Sequence, residues 1–202
     1  LLIFATFIWG LGFVGTRWTL VDYSPVWSNT LRFLFAGLIS LPFLWKHKRL
    51  FKHMGAIYCS LLLAAGLQLQ TIGIAYTSLA KSGFLTVLYA LFTPLLIMLF
   101  GKAHFRKTYW LLLAVALFGI ALLCDLKWEN FNYGDSFILC AAFFFSLHIL
   151  AIDKFCANEN ALMFNLIQCF YIGVFTFIFA ILKEGLPGLA PLMDITALTR
   201  YS

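Results

Sequence analysis

Seven long runs of apolar residues follow one another along this chain, and they constrain its fold more than any other feature. A helix needs about 20 apolar residues to cross a bilayer, with a range of roughly 17–25. In lipid the backbone must be satisfied within the segment, so runs of this length predict helices; barrel strands are shorter and alternate in polarity. The predicted fold class is all-α, a polytopic bundle of transmembrane helices. The runs extend approximately over Leu1–Thr16 (truncated), Val26–Trp45, Gly55–Tyr76, Ser82–Phe100, Tyr109–Cys124, Asp135–Ile152 and Leu162–Leu182.

The composition supports a membrane protein. Of the 202 residues, 63% are hydrophobic and 11% are charged, whereas soluble domains have roughly 45–50% apolar and about 25% charged residues. A soluble chain of this size could not hide so much apolar surface, so a lipid bilayer is the expected partner. The formal charge of +6 comes from basic residues clustered in short loops, which the positive-inside rule explains, and no nucleic-acid partner is expected.

No motif indicates a metal, a cofactor or catalysis. The five cysteines are scattered without CxxC spacing, so we interpret them as small apolar residues. Gly10–Gly15 fits GxGxxG but lies inside an apolar run, so we interpret its glycines as allowing close helix approach. There is no GxSxG, no HExxH and no paired carboxylate within the runs. The chain is therefore not predicted to be an enzyme.

The distribution of Lys and Arg predicts the orientation. Loops after the second, fourth and sixth runs are basic, while the opposite loops mix basic with acidic residues. The first set is expected in the cytoplasm, which also places the N-terminus there, in a bacterial inner (plasma) membrane. The basic residues of that side are Lys46, Lys48, Arg49, Lys52, Lys102, Arg106, Lys107 and Lys154.

An internal repeat emerges when the chain is shifted by 136 positions. Trp27–Gly37 then aligns with Met163–Gly173, and Asn29 matches Asn165 as Gly37 matches Gly173. Five runs separate the start of one copy from the start of the other, and because five is odd the second copy enters the membrane from the opposite face. Inverted repeats of this kind recur in secondary transporters, with the substrate site between them.

Several stretches resemble the EamA-type permeases of the drug/metabolite transporter superfamily. They are Phe7–Val14 with its Trp-Gly pair, Leu31–Gly37 after Ser24-Pro25, Thr77–Thr86 followed by Thr93–Leu96, and Gly134-Asp135 with Ala142–His148 and Asp153-Lys154. The resemblance implies ten helices in two inverted five-helix repeats, of which this chain covers about seven. Residues 1–124 would form the first repeat and residues 134–202 the truncated start of the second. The chain opens without Met, which also indicates a fragment. It departs from the family at Gly101-Lys102, where a Gly-Glu pair is usual.

Polar residues inside the runs are the candidates for a substrate path. Arg32 lies well inside the second run, where a charge is costly and usually faces a cavity or a partner, although snorkelling to the headgroups is the alternative. Ser82, Thr86, Tyr89 and Thr93 are spaced by 4, 3 and 4 residues, which forms one helical stripe. This stripe could line a substrate path or serve as hydrogen-bonding contacts between helices. Because its covering helices would lie in the missing part, we expect the stripe to be open on one side, and Pro94 to loosen the helix there.

The remaining candidates lie in the first, third and sixth runs and at the outer end of the fourth. Lys81 stands at the outer mouth of the fourth run, as an anion attractor or as an interfacial anchor. His148 titrates near neutrality, as a proton relay or as a hydrogen-bonded structural residue. The full set of substrate-path candidates is Trp9, Arg32, Gln68, Gln70, Tyr76, Lys81, Ser82, Thr86, Tyr89, Thr93 and His148.

The predicted function is secondary transport of a small metabolite, such as an amino acid or a related polar compound, by alternating access. A helix-bundle scaffold or receptor without transport activity is the alternative. The predicted partners are the small-molecule substrate and the lipid bilayer, with a homodimer as a further possibility.

Overall fold

The computed structural model describes residues 2–101, 103–123 and 131–186, and within these ranges the chain is helical without strands. Among the described residues, four segments are long and apolar enough to cross a membrane: Met54–Tyr76, Leu79–Leu99, Tyr133–Phe155 and Ala161–Glu184. The helices of the first, second and fifth predicted runs are not among these four. The predicted class, a polytopic all-α membrane bundle, is confirmed. The α-helices are α1 (Leu2–Asp22), α2 (Pro25–Leu44), α3 (Met54–Tyr76), α4 (Leu79–Val87), α5 (Tyr89–Leu99), α6 (Lys107–Leu123), α7 (Tyr133–Phe155) and α8 (Ala161–Glu184), with a short 3-10 helix at Lys48–Lys52.

Local sequence signals set where three of the helices begin. Ser24 accepts a hydrogen bond from the backbone N–H of Trp27 at 3.2 Å, and Pro25 opens α2 with the dihedral angle a first turn needs. Asn132 and Asp135 form a capping box at the start of α7. Asn160 caps α8 in the same way as Ser24 caps α2.

The first helix is longer than the sequence predicted. The apolar run ends at Thr16, but α1 continues to Asp22. The hydroxyls of Thr16 and Thr19 donate to the carbonyls of Gly12 and Thr16 in the same helix, at 2.7 and 2.9 Å. These residues therefore satisfy their own polarity within the helix, and no helix breaker precedes Ser24-Pro25.

The fourth run is two helices rather than one. The break falls at Leu88, between α4 and α5, and not at Pro94, which lies inside α5. Hydroxyl groups satisfy the backbone next to the break, because the Tyr89 carbonyl accepts from Thr93 Oγ1 at 2.7 Å and from Ser146 Oγ at 3.2 Å. Irregular backbone at membrane depth is tolerated where protein surrounds it in this way.

Glycines bring α2 against α8 and α3 against α7. A Cβ atom placed on Gly37 would lie 3.1 Å from the Phe170 Cα, and one on Gly173 would lie 2.7 Å from the Phe33 carbonyl oxygen. The two glycines that the 136-residue shift aligns therefore lie at the same helix crossing. Small residues allow backbones to approach this closely, which is how membrane helices associate.

The α3–α7 contact follows the same rule. A Cβ atom on Gly73 would lie 2.8 Å from the Gly134 carbonyl oxygen, and one on Gly134 would lie 2.8 Å from the Gly73 carbonyl oxygen. Fully buried Ile138 packs beside this contact. The helices α2, α3, α7 and α8 thus form the centre of the described bundle.

We interpreted the glycines of α1 as allowing another helix to approach closely, but in the structure this face of α1 is open. A Cβ atom on Gly10, Gly12 or Gly15 would meet nothing within 4 Å, so none of the described helices approaches α1 closely there. Large apolar side chains on α1 are exposed, including Phe4 and Phe7 at 67% and 64%. The space beside these glycines is instead part of the site described next.

Candidate substrate site

Neutral groups of α1 and α2 hold the guanidinium of Arg32, which is exposed in the described part of the bundle. Its Nη1 donates to Thr16 Oγ1 at 2.6 Å, and its Nη2 donates to Asn29 Oδ1 at 3.0 Å. The guanidinium carbon lies 5.0 Å from the centre of the Phe33 ring. The ion pairs formed by the described residues join Arg49 or His53 to Glu159, and Lys81 to Asp135, so no carboxylate among them neutralises Arg32.

Two cavities flank Arg32 and share Gly12 and Thr16 as further lining residues. The first, which we call the α1–α2 cavity, has a volume of about 390 Å³. The second, the three-helix cavity, has a volume of about 360 Å³ between α1, α2 and α3. Polar side chains in the α1–α2 cavity belong to Thr16, Thr19, Tyr23, Ser28 and Arg32.

Tyr23 stands where α1 meets α2, at the end of the α1–α2 cavity. Burial, together with the neighbouring Asp22 carboxylate, raises the pKa of Tyr23. Its hydroxyl is buried without a partner among the described residues. The phenol therefore stays neutral and offers a hydrogen bond to the cavity.

Hydrogen bonds continue from Arg32 through Asn29 to α3, and a separate hydrogen bond joins α3 to α4. Asn29 Nδ2 donates to Gln68 Oε1 at 3.3 Å, and Gln70 Nε2 donates to Thr86 Oγ1 at 3.0 Å. Gln70 also lines the three-helix cavity, as does Trp9. The structure therefore brings five of the predicted candidates around one site: Trp9, Arg32, Gln68, Gln70 and Thr86.

Lys81 and Tyr76 lie elsewhere, at one end of the bundle. Lys81 Nζ is 2.6 Å from Asp135 Oδ2, and Asp135 is fully buried. Asp135 also accepts from Thr77 Oγ1 at 2.6 Å and from the Asn132 backbone N–H at 2.9 Å. We considered Lys81 as a group that attracts an anionic substrate, but in the structure its ammonium group is paired with the carboxylate of Asp135. Tyr76 is 66% exposed.

The stripe of polar residues on the fourth run is not open on one side, so that prediction was wrong. Ser82 and Thr86 are buried, and Tyr89 and Thr93 are half-buried. The reason is that α7, the first helix after the proposed repeat boundary, already packs over α4 and α5. The hydroxyl of Thr93 donates a hydrogen bond to the carbonyl of Tyr89 in the same helix.

His148 is tied to α8 rather than to the Arg32 site. Its Nε2 lies 2.7 Å from Gln168 Oε1, and Gln168 is 2% exposed. Gln168 is the residue that the 136-residue shift aligns with Arg32 (32 + 136 = 168). Each of the two positions thus links its helix to the preceding one, Arg32 to Thr16 on α1 and Gln168 to His148 on α7.

Sequence reasoning missed three residues of these networks. Thr16 was taken only as the end of an apolar run, and Asn29 only as a match in the repeat. Asp135 was placed at a helix end, and its burial against Lys81 was not foreseen. The signals were present, because Asn29 is one turn before Arg32 and Asp135 follows the small residue Gly134 that allows close packing.

The fold defines a multi-pass membrane protein whose helices are joined by polar networks. Residues 1–124 match the EamA-like transporter family, and the chain belongs to that family. An uncharacterized transporter of Archaeoglobus fulgidus is 32% identical over 176 residues, which are 86% of this chain and 54% of that protein. The chain thus spans about half the length of this curated relative. No solved structure matches the chain.

Proposed function

We propose that the protein is a secondary transporter that carries a small polar metabolite across the cytoplasmic membrane by alternating access. The observation that carries this proposal is Arg32, a cation within a bundle helix that faces two cavities and has only neutral partners. A charge at the centre of a membrane helix costs about 2.5–3.5 kcal/mol on insertion scales, and such residues mark substrate or ion pathways. Membership of the EamA-like transporter family supports the same activity.

Alternating access needs two bodies that move against each other, and the glycine crossings supply the contact between them. Gly37 of α2 and Gly173 of α8 meet at one crossing, where Gly173 faces the carbonyl of Phe33. Arg32 is the residue before Phe33. Rocking of α8 against α2 would therefore move the backbone that carries the cation, which couples the site to the conformational change.

The proposed orientation places the N-terminus in the cytoplasm. The loop after α2 and the loop after α7 then lie on the cytoplasmic side, and the Arg49–Glu159 pair joins them at 2.6 Å. The Lys81–Asp135 pair lies at the other end, toward the outside. The two ends of the bundle thus each carry one ion pair between the proposed repeats.

Flux measurements on the full-length protein in proteoliposomes test this function. Vesicles preloaded with one unlabelled amino acid or small carboxylate at a time should accumulate the labelled compound by exchange, saturably and above empty vesicles. Arg32→Gln should abolish this exchange, while Arg106→Gln, which removes an exposed arginine from the loop before α6, should preserve it.

Two results would count against transport. Folded protein that exchanges none of the compounds in the screen contradicts the proposal. Saturable binding of a compound without any flux would instead favour the receptor or scaffold alternative.

A further inference from the structure

We infer that Arg32 binds the carboxylate of a small monoanionic substrate whose remaining body is apolar. This inference rests on the proposed transport function and specifies the class of its substrate. It follows from the free donors of the guanidinium, from the charge of the cavity lining and from the nature of the cavity walls.

The guanidinium of Arg32 has N–H donors that make no hydrogen bond to the described residues. Arginine carries five N–H donors in a planar fork, and Arg32 uses two of them, on Thr16 and Asn29. The three others make no hydrogen bond to the described residues. A carboxylate accepts two parallel N–H bonds from such a fork, and these charge-assisted bonds are the strong ones.

The side chain is also fixed before any ligand arrives. The bonds to Thr16 and Asn29 hold both Nη atoms, and the Phe33 ring lies beside the guanidinium at 5.0 Å. A donor group that is already oriented loses little entropy when it binds, which favours affinity.

The single positive charge of the cavity lining favours a ligand that carries one negative charge. Arg32 is the one ionised group that lines either cavity within the described part of the chain. A phosphate monoester, with about −1.5 to −2 charge at neutral pH, would keep an uncompensated charge there. The second half of the bundle adds no cation at the matching position, because Gln168 is neutral and bonded to His148.

The walls of the three-helix cavity select an apolar body. Ile8, Phe13, Leu67 and Ile74 line it together with the Trp9 ring. Besides Arg32, its hydrogen-bonding groups are few, and Gln70 already donates to Thr86 while Thr16 donates to Gly12. No carboxylate of the described residues lines the cavity to receive an ammonium group, so this lining favours a monocarboxylate over a zwitterionic amino acid. The volume of about 360 Å³ lies within the usual range for small-molecule sites, roughly 300–1,000 Å³.

Saturation-transfer NMR on the full-length protein in non-ionic detergent measures the binding that this predicts. The probes are butyrate and butyramide, which have nearly the same shape and differ in charge. Butyrate should bind saturably and butyramide at least tenfold more weakly. Arg32→Gln should weaken butyrate binding by about 10- to 100-fold, since a hydrogen bond to a charged group contributes about 1.5–3 kcal/mol.

Matched variants separate loss of the charge from loss of the fold. Arg32→Lys keeps the charge without the fork and should retain part of the affinity. Arg106→Gln removes an exposed arginine outside the site and should leave butyrate binding unchanged. Equal elution of all variants as a single species in gel filtration shows that the fold is intact.

Several outcomes would overturn the inference. These are equal binding of butyrate and butyramide, unchanged butyrate affinity in Arg32→Gln, and displacement of butyrate by methylphosphonate, leucine or chloride at lower concentration than by butyrate itself. Failure of this inference is distinguishable from failure of transport. If an uncharged solute shows saturable flux that Arg32→Gln does not alter, the protein is a transporter but Arg32 is not a carboxylate site. If butyrate binding depends on Arg32 but no solute shows flux, Arg32 is a carboxylate site but the protein is not a transporter.

Discussion

Replacing Lys81 by methionine should destabilise the bundle by about 3–5 kcal/mol, the cost of leaving a buried charge without its partner. Asp135 is fully buried, and Lys81 has a side chain that is 13% exposed. The two atoms of the pair lie 2.6 Å apart. The value of about 0.2–1 kcal/mol that applies to exposed pairs is therefore the wrong scale for this one.

The magnitude follows from what Asp135 keeps after the substitution. It would retain the hydrogen bonds from Thr77 and from the Asn132 backbone, but no other cation among the described residues forms an ion pair with it. Methionine preserves most of the lysine stem, so lost packing adds little. The double variant Lys81→Met/Asp135→Asn removes both charges and should be more stable than Lys81→Met alone.

Unfolding by SDS titration in mixed micelles, followed by intrinsic fluorescence, measures these free energies. Lys154→Met, which removes an exposed lysine at the end of α7, is the control and should leave the transition unchanged. The reasoning is refuted if Lys81→Met unfolds within about 0.5 kcal/mol of the unmodified protein, the ordinary spread of surface substitutions. It is also refuted if the double variant loses the sum of the two single losses, because that would mean the charges do not interact.

Three further predictions follow from the fold. A cysteine at Lys48 should be shielded from an impermeant thiol reagent in intact cells, while one at Tyr133 should react; the reverse labelling would overturn the orientation. Gly173→Ala should lower stability by about 1–3 kcal/mol, because its Cβ would lie 2.7 Å from the Phe33 carbonyl oxygen; Gly83→Ala, which meets nothing within 4 Å, should be neutral or stabilising in the same unfolding assay. Residues 1–202 reconstituted alone should give no saturable flux, because the match covers 54% of the curated relative and the proposed alternating access needs two complete bodies; flux above that of empty vesicles would contradict this unless the fragments pair as antiparallel dimers.

The sequence predicted the helices well because their cause is local. Apolar length decides whether a segment enters the membrane, and caps such as Ser24 and Asn132 decide where it begins. The sequence-based prediction was less accurate where polar residues remain part of a helix. Thr16 and Thr19 end an apolar run, but they bond to their own helix, so α1 continues to Asp22.

The candidate site was predicted in part for the same reason. The cost of a charge at membrane depth singles out Arg32 from one residue and its position. Its partners could not be inferred in this way. Thr16 and Gln68 are ordinary polar residues, and their importance depends on the three-dimensional proximity of α1, α2 and α3.

Sequence by itself thus determined that this protein is a bundle of membrane helices, where most of them begin and end, and which cation within an apolar run most needs an explanation. Only the tertiary structure decided which helices meet. The pairing of α2 with α8 and of α3 with α7 depends on backbone contacts at Gly37, Gly173, Gly73 and Gly134 between distant parts of the chain. The same packing covers the polar stripe of α4 and α5 and sets Lys81 against Asp135. An apolar side chain gains little free energy by leaving lipid for another helix, because lipid is equally apolar. Shape complementarity and hydrogen bonds between helices therefore determine which helices pack together.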